Sequence, residues 1–212
     1  LVIGATGFVG RWVARTLCGR GVEPLLAVRD GPRAKSVFER FGVTGHVIES
    51  DLTRPGEGTA LIADLEPDVV FNLAGYGIDL AEREPEVMDR INTRVVEELV
   101  AAVVDRDVML VHAGSAYEYG HVAGVLDEDG PTNPVTPYGR TKLAATEALR
   151  RAGEAGRART LVARLFTVYG PGEHPHRLLP SLARAARDGA PLPLTAGTQR
   201  RDFAHVEDVA QG

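Results

Sequence analysis

Tyr138-Gly139-Arg140-Thr141-Lys142 sets a phenol and an ammonium four residues apart, which on a helix places one above the other on a single face. A nearby ammonium favours the phenolate and draws the tyrosine pKa down from ~10 towards the working range. A tyrosine so placed can pass a proton to or from a carbonyl or alcohol oxygen while hydride moves at the adjoining carbon. Ser115 directly follows an apolar run at residues 108–112 that reads as a strand, and its hydroxyl would help hold that oxygen. Taken alone, such a pair is equally an exposed pair on a helix surface. The chemical reading gains its weight from what precedes the pair in the chain.

Gly4-Ala5-Thr6-Gly7-Phe8-Val9-Gly10 lies between a first apolar run, residues 1–3, and a helical pattern over residues 8–20. Glycine is needed where a chain turns sharply and where backbone must approach a pyrophosphate with no Cβ in the way. The helix start then offers free N–H groups and the positive end of its dipole to phosphate. The spacing is GxxGxxG where the dinucleotide fingerprint is GxGxxG; a tight turn that binds nothing is the alternative. At the end of the second strand, where an acidic residue bonds the ribose 2′-hydroxyl of NAD, this chain has Arg29, with Asp30 next and Arg33 nearby. A guanidinium suits a 2′-phosphate, which points to NADP(H). If Arg29 faces solvent and Asp30 takes the ribose, the cofactor is NAD(H).

The elements that must position these groups follow from hydrophobic patterning. Apolar runs at residues 1–3, 24–28, 46–49, 69–74, 108–112 and 160–165 read as strands, and residues 8–20, 86–104, 138–155 and 178–188 read as helices. Their alternation is that of βαβ units and a parallel sheet. Residues 169–175 read as a loop, and the arginine-rich stretch 150–159 as a helix end and loop. The 212 residues are 44% hydrophobic and 25% charged, which suits an α/β domain with a sizeable core. A net charge of −5 gives no reason to expect nucleic acid or an anionic membrane as partner. No stretch approaches the ~20 apolar residues that cross a bilayer. The single cysteine, Cys18, excludes an intramolecular disulfide and suits a reducing, cytoplasmic setting; it reads as a small apolar filler. His112, His121, His174, His176 and His205 fit no metal-ligand spacing and read as core or surface residues, so no metal is expected. The chain opens inside a strand without Met and stops just after a motif, which reads as a window on a longer protein.

In this order the motifs resemble the extended short-chain dehydrogenase/reductase superfamily, in its nucleotide-sugar epimerase, dehydratase and ketoreductase branch, essentially from end to end. Gly4–Gly10 is similar to the TGxxGxxG turn, Asn72-Leu73-Ala74-Gly75 to NLAG/HLAG, and Gly114-Ser115-Ala116-Tyr117-Glu118-Tyr119-Gly120 to SSxxVYG. Residues 164–172 are similar to RxxNVYGPG, and 201–208 to RDFxHVxD. The resemblance implies a Rossmann-type doubly wound parallel sheet over 1–212, with 170–212 beginning the substrate-binding region and most of the smaller C-terminal lobe missing. It implies Ser115, Tyr138 and Lys142 as catalytic residues. Cofactor contacts fall to Gly4, Thr6, Gly7, Phe8, Val9 and Gly10, to Arg29, to Asp51 and Leu52, to Leu73, Ala74 and Gly75, and to Tyr138 and Lys142. Asn92 stands where the family has a helix asparagine supporting the active site, and is counted with the cofactor residues. Tyr76, Thr167 and Arg201 are assigned to the substrate, Arg201 to its diphosphate. A homodimer through the helices at 86–104 and 138–155 is implied by the same analogy.

Departures from the pattern carry information. Dehydratases of this branch follow the catalytic threonine with Asp and Glu; here those positions are Ala116 and Tyr117, so 4,6-dehydration is not expected. Glu118 falls one place too late, and in an extended segment would point to the other side. Thr167 replaces the usual Asn. What remains is NADPH-dependent reduction at C4 of a 4-keto-6-deoxy sugar nucleotide or, with the same residues, NAD-dependent 4-epimerisation. A small-molecule carbonyl reductase would have no use for Arg201. A non-catalytic dinucleotide binder would have none for Ser115, Tyr138 and Lys142.

Overall fold

The computed structural model describes residues 1–79, 81–122 and 124–212. They form two compact units, Leu1–Leu165 and Phe166–Gly212. The first unit runs β1 (Val2–Ile3), α1 (Phe8–Gly19), β2 (Leu25–Val28), α2 (Gly31–Phe41), β3 (His46–Glu49), α3 (Glu57–Leu65), β4 (Val69–Asn72), α4 (Pro85–Asp89), a π-helical turn (Arg90–Arg94), α5 (Val95–Val103), β5 (Met109–Ser115), a 3₁₀ turn (Ala116–Glu118), α6 (Pro137–Glu154) and β6 (Arg159–Leu165). All six strands pair in parallel, in the order β3-β2-β1-β4-β5-β6. This is the Rossmann-type sheet expected from the alternation of strands and helices. The order reverses beside β1, and such a switch point opens a crevice at the carboxyl ends of the strands. The glycine turn begins there.

Burial accounts for the near-continuous apolar strands. Val2, Ile3, Leu26, Val70 and Leu110 are fully buried, as strands covered on both faces must be. Leu61 and Ile62 of α3, Val95, Val96, Leu99 and Val103 of α5, and Ala145 and Leu149 of α6 close one core cluster with Ile3, Val70 and Leu110. Each large aliphatic side chain there contributes roughly 1.5–3 kcal/mol, which holds α6, the carrier of Tyr138 and Lys142, against the sheet.

Several boundaries differ from expectation. β5 continues through Ser115, in register with β6 as far as the Ser115–Leu165 pair, so the serine ends the strand where it was expected to follow it. β4 stops at Asn72, two residues short of the expected end, although the Leu73 N–H still donates to Ile3 O at 3.0 Å. The helix expected at 86–104 is interrupted by the π turn. α2 and α3 had no clear signal: α2 opens on Gly31-Pro32, which looks like a breaker, yet Asp30 caps it by accepting the Arg33 N–H at 2.9 Å and proline is at home in a first turn.

The second unit holds β7 (Thr167–Tyr169), α7 (Leu178–Asp188), β8 (Phe203–His205) and α8 (Val206–Gln211), with β7 and β8 paired in parallel. Tyr169 therefore ends a strand, and the loop expected at 169–175 begins one residue later.

Candidate active site

The glycine turn is shaped by close approach. Gly4 has φ +77°, and a Cβ there would stand 2.8 Å from the Ala74 nitrogen. A Cβ on Gly10 would run into the Gly4 carbonyl. Gly7 is the N-cap of α1, and its N–H donates to Gly4 O at 2.9 Å. The first-turn N–H groups of α1, those of Phe8, Val9 and Gly10, have no intrahelical acceptor. No side chain caps them and no acidic residue stands in that turn. α2 is built the other way, its start filled by Asp30 and by Glu49, which accepts the Gly31 N–H at 3.0 Å. The bare start of α1 fits a dinucleotide pyrophosphate: the first two glycines leave the backbone open, and the helix supplies N–H donors and a positive end.

Around this turn the remaining cofactor candidates are arranged as follows. Arg29 is exposed just past β2; the Asp51 carboxyl is held below its ordinary value mainly by Thr53, which donates both its hydroxyl and its N–H to it, then by Arg54 and last by Arg29. Arg11, in the first turn of α1, stacks over Phe41 at 4.9 Å and donates to Gly7 O at 2.9 Å. Burial, then Arg40 and Arg33, lower its pKa, so several guanidiniums share the α1–α2 side. Leu52 and Ala74 pack on the core; Leu73 is half-buried and Gly75 exposed.

Asn92 is fully buried in the π turn. Its Oδ1 accepts the Tyr76 N–H at 2.9 Å, and its Nδ2 donates to Tyr76 O at 2.8 Å and to Thr141 Oγ1 at 3.1 Å. Both amide hydrogens are spent on the chain. The asparagine thereby ties the loop after β4 to α6, next to Lys142. π turns of this kind are frequent at functional sites.

The catalytic candidates converge on α6 and the end of β5. Thr136 caps α6 by accepting the Gly139 N–H at 3.0 Å. Gly139 lets the helix come close: a Cβ there would be 2.5 Å from the Tyr117 carbonyl. The Tyr117 and Tyr138 rings meet edge to face, with centroids 5.8 Å apart. Ser115 Oγ accepts the Tyr117 N–H at 3.2 Å, which leaves its own hydrogen for another acceptor. Lys142 is 2% exposed. Burial pushes its ammonium down to about 8, against the opposing charge of Glu118.

Glu118 is where the sequence reading fails. The segment after Ser115 is a 3₁₀ turn, not extended, and it folds the Glu118 side chain back beneath the serine. Its Oε1 accepts the Ser115 N–H at 2.7 Å and its Oε2 receives Arg164 Nε at 2.9 Å, with Glu118 fully buried. Arg164 also donates to Tyr119 OH at 3.1 Å and to Glu128 O at 2.8 Å. The signal available in the sequence was Arg164 itself, a charge within the apolar run of β6 that demands a buried partner. His112 is likewise more than core filling: it lies 3.1 Å from Lys142 Nζ and 3.1 Å from Asn72 Nδ2. Thr167 lies in β7 and Arg201 is exposed just before β8, both in the second unit. Among the described residues no His, Cys, Asp and Glu group could hold a metal, and no helix is long and apolar enough to cross a membrane.

Fold and glycine turn together are those of a Rossmann-type dinucleotide-binding domain, with Ser115, Tyr138 and Lys142 as its candidate catalytic set. The chain belongs to the NAD dependent epimerase/dehydratase family, which it matches over residues 1–212. It is 37% identical to dTDP-6-deoxy-L-talose 4-dehydrogenase (NAD(P)(+)) of Kitasatospora kifunensis, over 98% of this chain and 66% of that protein. It is 29% identical to UDP-glucose 4-epimerase of Azospirillum brasilense, over 99% of this chain and 65% of that protein. The structure of MoeE5 in complex with UDP-glucose and NAD superposes with a TM-score of 0.80 at 32% identity, covering 99% of this chain and 68% of that one. The chain thus spans about two thirds of the length of these relatives.

Proposed function

We propose that the protein reduces the C4 ketone of a 4-keto-6-deoxy nucleotide-diphosphate sugar, with NADP(H) as cosubstrate. The observation that carries the proton chemistry is the buried Lys142 one turn from Tyr138, beside a serine pinned by Glu118. The nicotinamide, when bound, supplies the hydride. Ser115 donates its free hydroxyl hydrogen to the substrate oxygen and orients it. Tyr138 delivers the proton that turns that oxygen into an alcohol, and the Lys142 ammonium stabilises the phenolate left behind. Gly4, Thr6, Gly7, Phe8, Val9 and Gly10 would hold the pyrophosphate; the family resemblance alone assigns Thr167 and Arg201 to the sugar nucleotide.

Three observations support reduction over dehydration and epimerisation. Ala116 and Tyr117 offer no acid–base pair for eliminating water, and both Glu118 oxygens are engaged within the protein. Asp30 spends one carboxylate oxygen on its helix cap, and the Arg29 guanidinium is exposed beside it at the end of β2. Arg33 and Arg40 add positive charge beside Arg11, as a 2′-phosphate requires. The talose dehydrogenase relative is named for either cofactor.

The alternative is an NAD-dependent 4-epimerase. Glu49, on the Gly31 N–H, favours it, since its negative charge at the start of α2 opposes a 2′-phosphate, and MoeE5 holds NAD. A cytoplasmic homodimer, paired through the helices of residues 85–103 and 137–154, belongs to the same proposal.

The test is to denature the purified full-length protein and identify any released nicotinamide cofactor by mass spectrometry. An empty site that then binds NADPH ahead of NADH supports the reductase. Equimolar co-purified NAD⁺ would establish a cofactor regenerated in place, and the epimerase would stand instead.

A further inference from the structure

His112 sits mid-strand in β5 with no exposed surface, between Asn72 on β4 and Lys142 on α6. Val162 is its register partner on β6. The charged groups around this line are Lys142 itself, Glu118 acting on Lys142, and Arg164 paired with Glu118; Tyr138 lies one helical turn away. A buried imidazole beside an ammonium stays neutral, and both effects drive His112 well below its ordinary value. A neutral imidazole carries one hydrogen on one of its two nitrogens.

The two contacts of His112 then constrain one another. An ammonium only donates, so a charged Lys142 requires Nε2 to be the acceptor and puts the hydrogen on Nδ1. Asn72 must in that case present its carbonyl oxygen to Nδ1. With the amide as placed, however, Asn72 Nδ2 faces Nδ1 at 3.1 Å and donates to it. The hydrogen is then on Nε2, and Lys142 must accept it as a neutral amine. Both arrangements are complete along the whole line. Asn72 Oδ1 is buried and has no hydrogen-bond partner among the described residues, so turning the amide from one to the other breaks no further bond.

We propose that His112 is a positioning residue for Lys142, a tautomeric switch whose Nε2 accepts from the ammonium and donates to the amine while the Asn72 amide turns to match. Between the two states Nζ goes from three hydrogens to two and one proton leaves to solvent. The ring keeps a single hydrogen, relocated from Nδ1 to Nε2. No charge enters the ring, and Nζ stays at one position in both states. The consequence is a lysine that titrates inside the protein without losing its place beside Tyr138. The inference rests on the reading of Lys142 as part of the catalytic set.

The direct test is ¹⁵N-histidine NMR of the full-length protein without cofactor, from pH 6 to 10, with the His112 signals identified by their loss in His112→Gln. The expected result is a ring neutral throughout that passes from Nδ1–H to Nε2–H around the Lys142 titration, near 8. A fixed tautomer over the whole range, or an imidazolium at pH 6, overturns the switch. Kinetics supply the second arm. His112→Leu removes the acceptor for the ammonium, and the alkaline limb of kcat/KM should move down by about one pH unit. His112→Gln, whose carbonyl can still accept from Nζ, should recover most of that shift. An unmoved limb in a folded His112→Leu protein contradicts the proposal; if that variant fails to fold, the NMR decides alone. Turnover surviving in Lys142→Met would instead sink the catalytic reading, whatever tautomer His112 shows.

Discussion

Arg164 Nε lies 2.9 Å from Glu118 Oε2, and the other oxygen of that fully buried carboxylate holds the Ser115 N–H at 2.7 Å. One ion pair thereby joins the ends of β5 and β6 and sets the backbone of the serine. Breaking a buried pair from one side leaves an uncompensated charge, which costs ~3–5 kcal/mol.

Glu118→Val, which restores the residue of the SSxxVYG pattern, should therefore lower stability by about that amount and reduce turnover by displacing Ser115. Adding Arg164→Leu removes the stranded guanidinium and should recover most of the stability but not the turnover. Urea unfolding and steady-state kinetics on the same two proteins separate the effects.

Lys142 carries a cost of burial. Its folded pKa of about 8 lies below the ordinary 10.5, so the folded protein binds fewer protons than the unfolded chain across that window. Stability from this group rises with pH from about 8 to 10.5, and the penalty for burying the charge is fully present below 8. Lys142→Met should raise unfolding stability at pH 7 by up to ~3 kcal/mol, show a much smaller gain at pH 10, and lose turnover. A destabilised Met variant at pH 7 would contradict the assignment of a burial penalty.

The same titration sets the pH dependence of catalysis. In the proposed mechanism the ammonium supports the Tyr138 phenolate, so kcat/KM should fall as pH rises through about 8. The quantity must be kcat/KM, which reports groups of the free enzyme. A profile flat to pH 10 would show that the charge on Lys142 is not needed.

At the turn, Gly4→Ala places a Cβ 2.8 Å from the Ala74 nitrogen at φ +77°. Two backbone segments at the proposed pyrophosphate site must then separate, and cofactor affinity should drop at least tenfold while the sheet survives. Isothermal titration with NADPH and circular dichroism check both halves.

The sheet and its order of helices were legible because residues 25–28 and 69–72 are apolar runs with no alternation, and because Val87, Ile91, Val95 and Leu99 recur at roughly helical spacing. The short β7 and β8 were not: three residues give no period to read. α3 was missed because its start, Gly56, provides no side-chain cap. In the candidate site, the one-turn separation of Tyr138 and Lys142 and the sharp glycine turn were legible from spacing, since both depend on local geometry. Glu118, His112 and Asn72 could not, because their partners lie 46, 30 and 40 residues away in the chain. Assigning Glu118 to the far face failed on one local fact, the 3₁₀ turn that replaces extended backbone after Ser115.

Tyr138→Phe tests the central claim most directly, with turnover and NADPH affinity measured on one preparation. The account predicts that turnover falls by about two orders of magnitude or more while NADPH affinity changes far less, because the ring packing against Tyr117 remains and the hydroxyl that delivers the proton is lost. Turnover within a fewfold of the parent would mean that Tyr138 is not the proton donor, and the proposed mechanism would be wrong.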